Sequence, residues 1–256
     1  MSAEIELVYL LLALAAFGAG YVDAVVGGGG LIQTPALLAA FPTTAPATLF
    51  GTNKVASIVG TSSAAIQYSR RVRVPWRLAL PGALAALIGS WYGAKAVTYL
   101  PPDMIRPFVL ILLVLVAIYT FIKKDFGTVV SSPREAAGDV LRIVVIGGGI
   151  GFYDGFFGPG TGSFFIFLFV RFLAMDFLKA SVTAKILNVA TNLAAISYFA
   201  LNVEIMWMLG GMMALANLSG AILGSRMAIR HGAGFVRQVF LVVVSALVLK
   251  MTFDLF

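Results

Sequence analysis

Gly20-Tyr21-Val22-Asp23 ends a long apolar run and leads into Gly27-Gly28-Gly29-Gly30; Gly151-Phe152-Tyr153-Asp154 ends another and leads into Gly158-Pro159-Gly160-Thr161-Gly162. Further along, Thr52-Asn53-Lys54 resembles Thr183-Ala184-Lys185. The spacing is common to both matches, since 154 − 23 and 183 − 52 each give 131. It holds without a gap to Arg106 and Arg237, pairing Gly29 with Gly160, Trp76 with Trp207, Gly89 with Gly220 and Gly93 with Gly224. Matched Ala or Leu would mean little in so apolar a chain, but only three Trp are present and two of them coincide. A period of this length makes the fold two copies of one unit. The first repeat is assigned to residues 1–122, a linker to 123–138 and the second repeat to 139–256.

Composition places both copies in a bilayer. Hydrophobic residues make up 60% of the 256 and charged residues 11%, against roughly a quarter charged in soluble domains. The net charge of +7 does not mark a nucleic-acid face, because the basic residues lie between apolar segments, where cytoplasmic loop charges belong. There is no Cys and a single His, His231, which excludes thiol chemistry and a Cys/His metal cluster. We expect no cofactor and no enzymatic activity. The start, Met1-Ser2-Ala3-Glu4-Ile5-Glu6, lacks the basic region of a signal peptide, so the first apolar run reads as retained.

Each repeat reads as a broken hairpin followed by three spans, an all-α polytopic plan. In the first, an entering segment from Ile5 to Val26 meets the glycine run; Leu31 to Phe41 is then too short to cross; segments follow at 46–68, 76–98 and 104–122. Eleven helical residues extend about 16 Å, roughly half of a ~30 Å hydrocarbon core. The second copy has a short segment from Ser163 to Phe172 and spans near 178–199, 205–228 and 235–254. Homologous loops carry opposite charge. Arg70, Arg71, Arg73 and Arg77 lie between the second and third long segments of the first repeat, whereas Leu201 to Met208 has Glu204 and no basic residue. By the positive-inside rule the first loop is cytoplasmic and the second external. The repeats are then inverted, with the linker cytoplasmic and both termini outside. Inverted repeats with broken helices are a transporter plan.

Asp23, Asp154, Lys54 and Lys185 fall inside apolar segments at symmetric positions. A charge at the centre of a lone helix costs about 2.5–3.5 kcal/mol on insertion scales, so four of them need a reason. The lysines suit an anionic substrate and the aspartates proton handling; alternatively, two Asp–Lys pairs neutralise each other. Backbone N–H groups freed at Gly27, Gly28, Gly29 and Gly30, and at Gly158, Gly160 and Thr161, suit an anion at a helix N-terminus. Thr52 and Asn53 precede Lys54, and Lys54, Ser57 and Thr61 form one helical stripe; Thr183 precedes Lys185, which with Asn188 and Asn192 repeats the stripe. We read these stripes as cavity lining. No strand, GxGxxG or GK[ST] accompanies the glycines, which excludes nucleotide binding. Gly89-Ser90-Trp91-Tyr92-Gly93 and its counterpart at Gly220 and Gly224 read as GxxxG packing motifs.

The G-x6-GGG turn ending in Gly27-Gly28-Gly29, the short helix bearing Pro35 and the downstream Gly51-Thr52-Asn53 together resemble the sulfite exporter TauE/SafE family. The resemblance covers the whole chain, though the second repeat departs from the motif at Pro159, Thr161 and Ala184. It implies an inner-membrane carrier of small sulfur-containing or organic anions. The expectation is therefore a secondary transporter, working by alternating access, that exports sulfite, sulfonates or carboxylates. An anion channel and a proton-coupled carrier of another small solute are the alternatives. Its partners are a small anion and the lipid bilayer, with no nucleic acid; a homo-oligomer is left open.

Overall fold

The computed structural model describes residues 3–101 and 138–255, with side chains described for 6–101 and 138–231. Among the described residues there are eight helices and no strand. They are α1 (Ala3–Val26), α2 (Gly30–Ala40), α3 (Pro46–Ser69), α4 (Trp76–Thr98), α5 (Asp139–Phe156), α6 (Thr161–Phe172), α7 (Phe177–Asn202) and α8 (Trp207–Leu255). The segment read at 104–122 and the linker as far as residue 137 lie outside the described residues.

The period in the sequence reappears in the helix boundaries. Helices α2, α3 and α4 begin at 30, 46 and 76, and α6, α7 and α8 begin at 161, 177 and 207, each 131 residues later. Local chemistry sets several of these starts. Pro46 opens α3, where its missing N–H costs nothing. Asp176 caps α7 by accepting from the Lys179 amide at 3.0 Å, and Gly160 precedes α6 with φ +83°. One boundary differs from the sequence reading. No interruption occurs at Arg230 to Gly234, and α8 continues through it for 49 residues, about 74 Å of helix. Glycine weakens a helix by about 1 kcal/mol relative to Ala, which Gly232 and Gly234 alone do not turn into a break when no Pro lies between 207 and 255.

Packing exchanges partners between the two copies. Helix α4 lies against α5 and α1 against α8, while α3 packs on α8 and α4 on α7. Swapping the copies maps each of these contacts onto another. Both GxxxG pairs sit in the closest of them. A Cβ at Gly93 would overlap the Phe152 carbonyl of α5, and one at Gly220 would overlap the Phe17 carbonyl of α1. Only glycine lets these backbones approach.

Polarity runs outward in the reverse of a soluble protein. Leu80, Leu84 and Ile88 form an exposed stripe on α4, as do Leu7, Leu11 and Leu14 on α1, whereas Gln33, Lys54, Asp154 and Lys185 are buried. Such apolar surface is sustained by lipid, not water. Among the described residues three helical stretches, Glu6–Val26, Phe177–Asn202 and Trp207–His231, are long and apolar enough to cross a membrane, and α2 and α6 are shorter apolar helices. The protein is an all-α polytopic membrane protein.

Candidate functional site

The two chain breaks meet. Gly27 at φ +79° ends α1, and Gly158 at φ +97° occupies the equivalent position after α5; side chains rarely adopt this backbone region. The Ser163 amide donates to the Gly27 carbonyl at 3.1 Å and its hydroxyl to the Val26 carbonyl at 2.7 Å. A Cβ on Gly162 would lie 2.6 Å from the Gly27 Cα, so the turns touch backbone to backbone. Tyrosines brace both. Tyr68 donates to the Ala24 carbonyl at 3.1 Å, and Tyr153 donates to the Pro159 carbonyl at 2.6 Å.

Each lysine crosses to the aspartate of the other copy. Lys54, on α3, donates to the Asp154 carboxylate on α5 at 2.6 Å, with both side chains buried at 4% and 3% exposure. Lys185, on α7, reaches Asp23 on α1 but donates to its main-chain carbonyl, at 3.0 Å. The Asp23 carboxylate instead accepts from Thr61 at 3.0 Å. The Lys185 ammonium also lies 5.1 Å from the centre of the Tyr68 ring, within cation–π range. One cross-copy pair is thus closed as an ion pair and its counterpart is open, with one lysine and one aspartate in each.

Around the closed pair lies a polar cavity. It is lined by Asp23, Gly27, Gly30, Asn53, Lys54, Ser57 and Thr61 from the first copy, and by Asp154, Gly158, Gly160, Thr161, Gly162, Asn188 and Asn192 from the second. Its volume of ≈ 20 Å³ is about that of one water-sized body. Thr161 donates to the Gly158 carbonyl at 2.6 Å, and Asn192 donates to Asn188 at 3.0 Å. The buried Asn53 side-chain oxygen has no hydrogen-bond partner.

Five residues named from the sequence lie elsewhere. Gly28 and Gly29 are not on the cavity wall, and a Cβ at Gly29 would press 2.5 Å from the Ala19 carbonyl, which gives it a packing role. Thr52 donates to the Thr48 carbonyl and accepts from the Met206 amide at 3.1 Å, tying α3 to the approach of α8. Thr183 bonds back to the Lys179 carbonyl at 2.7 Å, and Lys185 sits behind the wall against Asp23 and Tyr68. Two buried polar residues escape a repeat-based reading. Gln33 accepts from Asn217 at 3.0 Å, and Asn217 also donates to the Ala16 carbonyl at 3.2 Å. The offset places Phe164 and Ala86 at their counterparts, so only their polarity in apolar helices could have drawn attention to them. Among the described residues no group of three His, Cys, Asp or Glu converges on a metal position.

Comparison with known proteins identifies the family. The model of the family described as sulfite exporter TauE/SafE matches residues 12–251. A Sinorhizobium sp. protein named "Probable membrane transporter protein ORF9" is 37% identical over 254 residues, covering 97% of this chain and 95% of its own. The Escherichia coli K12 "Probable membrane transporter protein YfcA" is 33% identical over 237 residues, with 92% and 86% covered. A "Probable membrane transporter protein" of Haemophilus influenzae is 30% identical over 255 residues, with 99% and 98% covered. No solved structure matches the chain. With paired glycine breaks, cross-copy lysines and a family match along nearly its whole length, this chain belongs to the sulfite exporter TauE/SafE family of membrane transporters.

Proposed function

We propose that the protein is a secondary transporter that exports small sulfur-containing or organic anions, such as sulfite, sulfonates or carboxylates, across the inner membrane by alternating access. One observation carries this reading: the buried Lys54–Asp154 ion pair stands where the two glycine breaks meet. An oxyanion entering there competes with the Asp154 carboxylate for the Lys54 ammonium. Asn53, Ser57, Asn188 and Asn192 lie around it on the same wall and supply hydrogen-bonding groups of the kind that recognise oxyanions. Charge balance then assigns a task to the aspartates. Asp23 and Asp154 offset Lys54 and Lys185, so an added anion leaves the site one negative charge in excess. Protonation of Asp154 on release from Lys54 cancels that excess and couples anion and proton at one residue.

The cavity's ≈ 20 Å³ is too small for a four-atom oxyanion, which suits a closed intermediate between two open forms. The open and closed lysine–aspartate pairs support the same reading, since inverted repeats exchange conformations when access alternates. On this reading the N-terminus faces outward and the residues between the repeats are cytoplasmic, while an unbroken α8 does not return the C-terminus to the outer side. An inside-negative potential favours exit by about 2.3 kcal/mol per net charge per 100 mV, a drive that acts only on the anion charge a co-transported proton leaves uncompensated. A thermal-shift screen of small anions on the purified protein tests the assignment. A ligand at 100 times its Kd stabilises by about 2.7 kcal/mol. Sulfite or a small carboxylate is expected to raise the melting temperature of the wild type and to shift Lys54→Met by no more than about half as much. Equal shifts in both proteins would remove Lys54 from the binding site.

A further inference from the structure

We infer that the groove between α3 and α8 is a binding site for one anionic phospholipid of the leaflet on its arginine side. This groove, of ≈ 1060 Å³, is separate from the polar cavity. At 3.6 residues per turn, Val59 and Ile66 lie about 140° and 120° around α3 from Lys54, so the groove faces outward. Their exposure, 38% and 51%, agrees. The inference therefore does not rest on the transport reading.

The lining is mainly apolar with its cationic groups gathered toward one end. Ile58, Val59, Ile66, Ile222 and Ile229 supply apolar walls, interrupted by Ser62 and Ser63, while Arg70, Arg71, Arg226 and Arg230 line the far end, with Ile229 between the last two. No acidic residue is among the described lining. All four arginines are exposed, and none has an ion-pair partner among the described residues. From Ile58 to Arg71 is thirteen residues, about 20 Å of helix, which is about one leaflet with its headgroup region. Gln67 lies one turn before Arg71, at the depth of ester carbonyls when the phosphate is on the arginines. Basic pockets between transmembrane helices are a known way to hold anionic headgroups, and guanidinium forks match phosphate oxygens two at a time.

The other copy provides an internal control. By the 131-residue offset, Gln67 and Ile222 correspond to Tyr198 and Trp91. There the two rings pack edge to face at 5.3 Å, and Tyr198 hydrogen-bonds Thr98 at 3.3 Å, so protein fills the equivalent place. The positions of the four arginines are there Leu201, Asn202, Lys95 and Tyr99. Four arginines thus accompany the open groove, and a single basic residue accompanies the filled one.

Native mass spectrometry of the full chain in detergent tests the inference, with phosphatidylglycerol and phosphatidylcholine of identical acyl chains as probes. The wild type is expected to retain phosphatidylglycerol in preference by roughly tenfold or more. Arg226→Gln/Arg230→Gln should remove the preference. Because loop arginines also direct insertion, Gln67→Tyr/Ile222→Trp serves as a second variant that copies the aromatic plug and keeps all four arginines; it should remove the preference too. Millimolar inorganic phosphate should not displace the lipid. Equal retention of both lipids by the wild type, a preference that survives the plug, or displacement by inorganic phosphate would each overturn the inference.

Discussion

Replacing Lys54 by Met keeps most of the side chain's length and apolar stem but removes the ammonium that lies 2.6 Å from Asp154. The Asp154 carboxylate is then left at 3% exposure without its counter-charge. Removing one partner of a buried pair costs about 3–5 kcal/mol, most of it the penalty on the stranded charge. The magnitude follows from the burial, since exposed pairs contribute only about 0–1 kcal/mol. Asp154→Asn added to Lys54→Met removes the stranded charge and should recover most of that loss, because neutral replacement of a buried pair is often close to neutral in stability. Anion affinity should behave differently. Losing a charge-assisted hydrogen bond costs on the order of 1.5–3 kcal/mol, ten- to a hundredfold, and the double variant should not regain it. Denaturation in detergent and anion binding, measured on wild type, both single variants and the double variant, separate the two effects. A double variant as unstable as Lys54→Met would show that the pair is not what holds these residues, and the geometric argument would fail.

Other expectations follow from the same structure. Lys185→Met should weaken anion binding less than Lys54→Met, because Lys185 lies behind the cavity wall; equal losses would argue that both lysines reach the anion. Asp154→Asn should abolish the pH dependence of flux if that carboxylate carries the proton, and an unchanged pH profile would assign the coupling elsewhere. Gly27→Ala forces a side chain into φ +79° against Gly162, at a cost of about 1–2 kcal/mol from backbone conformation before the overlap is counted; it should impair folding or transport more than Gly28→Ala, whose Cβ would meet its neighbours only at ordinary contact distances of 3.6 Å and beyond. A cysteine at Ser69 should label only from the cytoplasm and one at Asn202 only from outside, and common sidedness would remove the inverted arrangement.

Much of the fold was legible because glycine and tryptophan punctuate the chain at a fixed interval. The starts of α2, α3 and α4 recur at α6, α7 and α8 because the turns that fix them recur. The end of the 205–228 span was not legible, since Gly232 and Gly234 look like a loop in sequence while α8 runs on. At the site, the cost of burying charge singled out Asp23, Lys54, Asp154 and Lys185. What the sequence could not supply was the partnering. Lys54 is 31 residues from Asp23 and 100 from Asp154, yet it pairs with Asp154, because α3 and α5 are brought together only by packing between the copies. Thr61 was visible in the stripe, but its bond to Asp23 depends on the counterpart pair being open. Gln33 and Asn217 were hidden from any repeat-based argument because their counterparts are apolar.

The most direct test of the transport reading is efflux of radiolabelled sulfite from proteoliposomes, at an imposed potential negative on the side of origin, for wild type and Lys54→Met. The reading requires saturable wild-type flux that a second small anion competes away, and a ten- to hundredfold weaker apparent affinity in Lys54→Met. Flux that rises linearly with concentration, or an affinity untouched by the loss of Lys54, would contradict it.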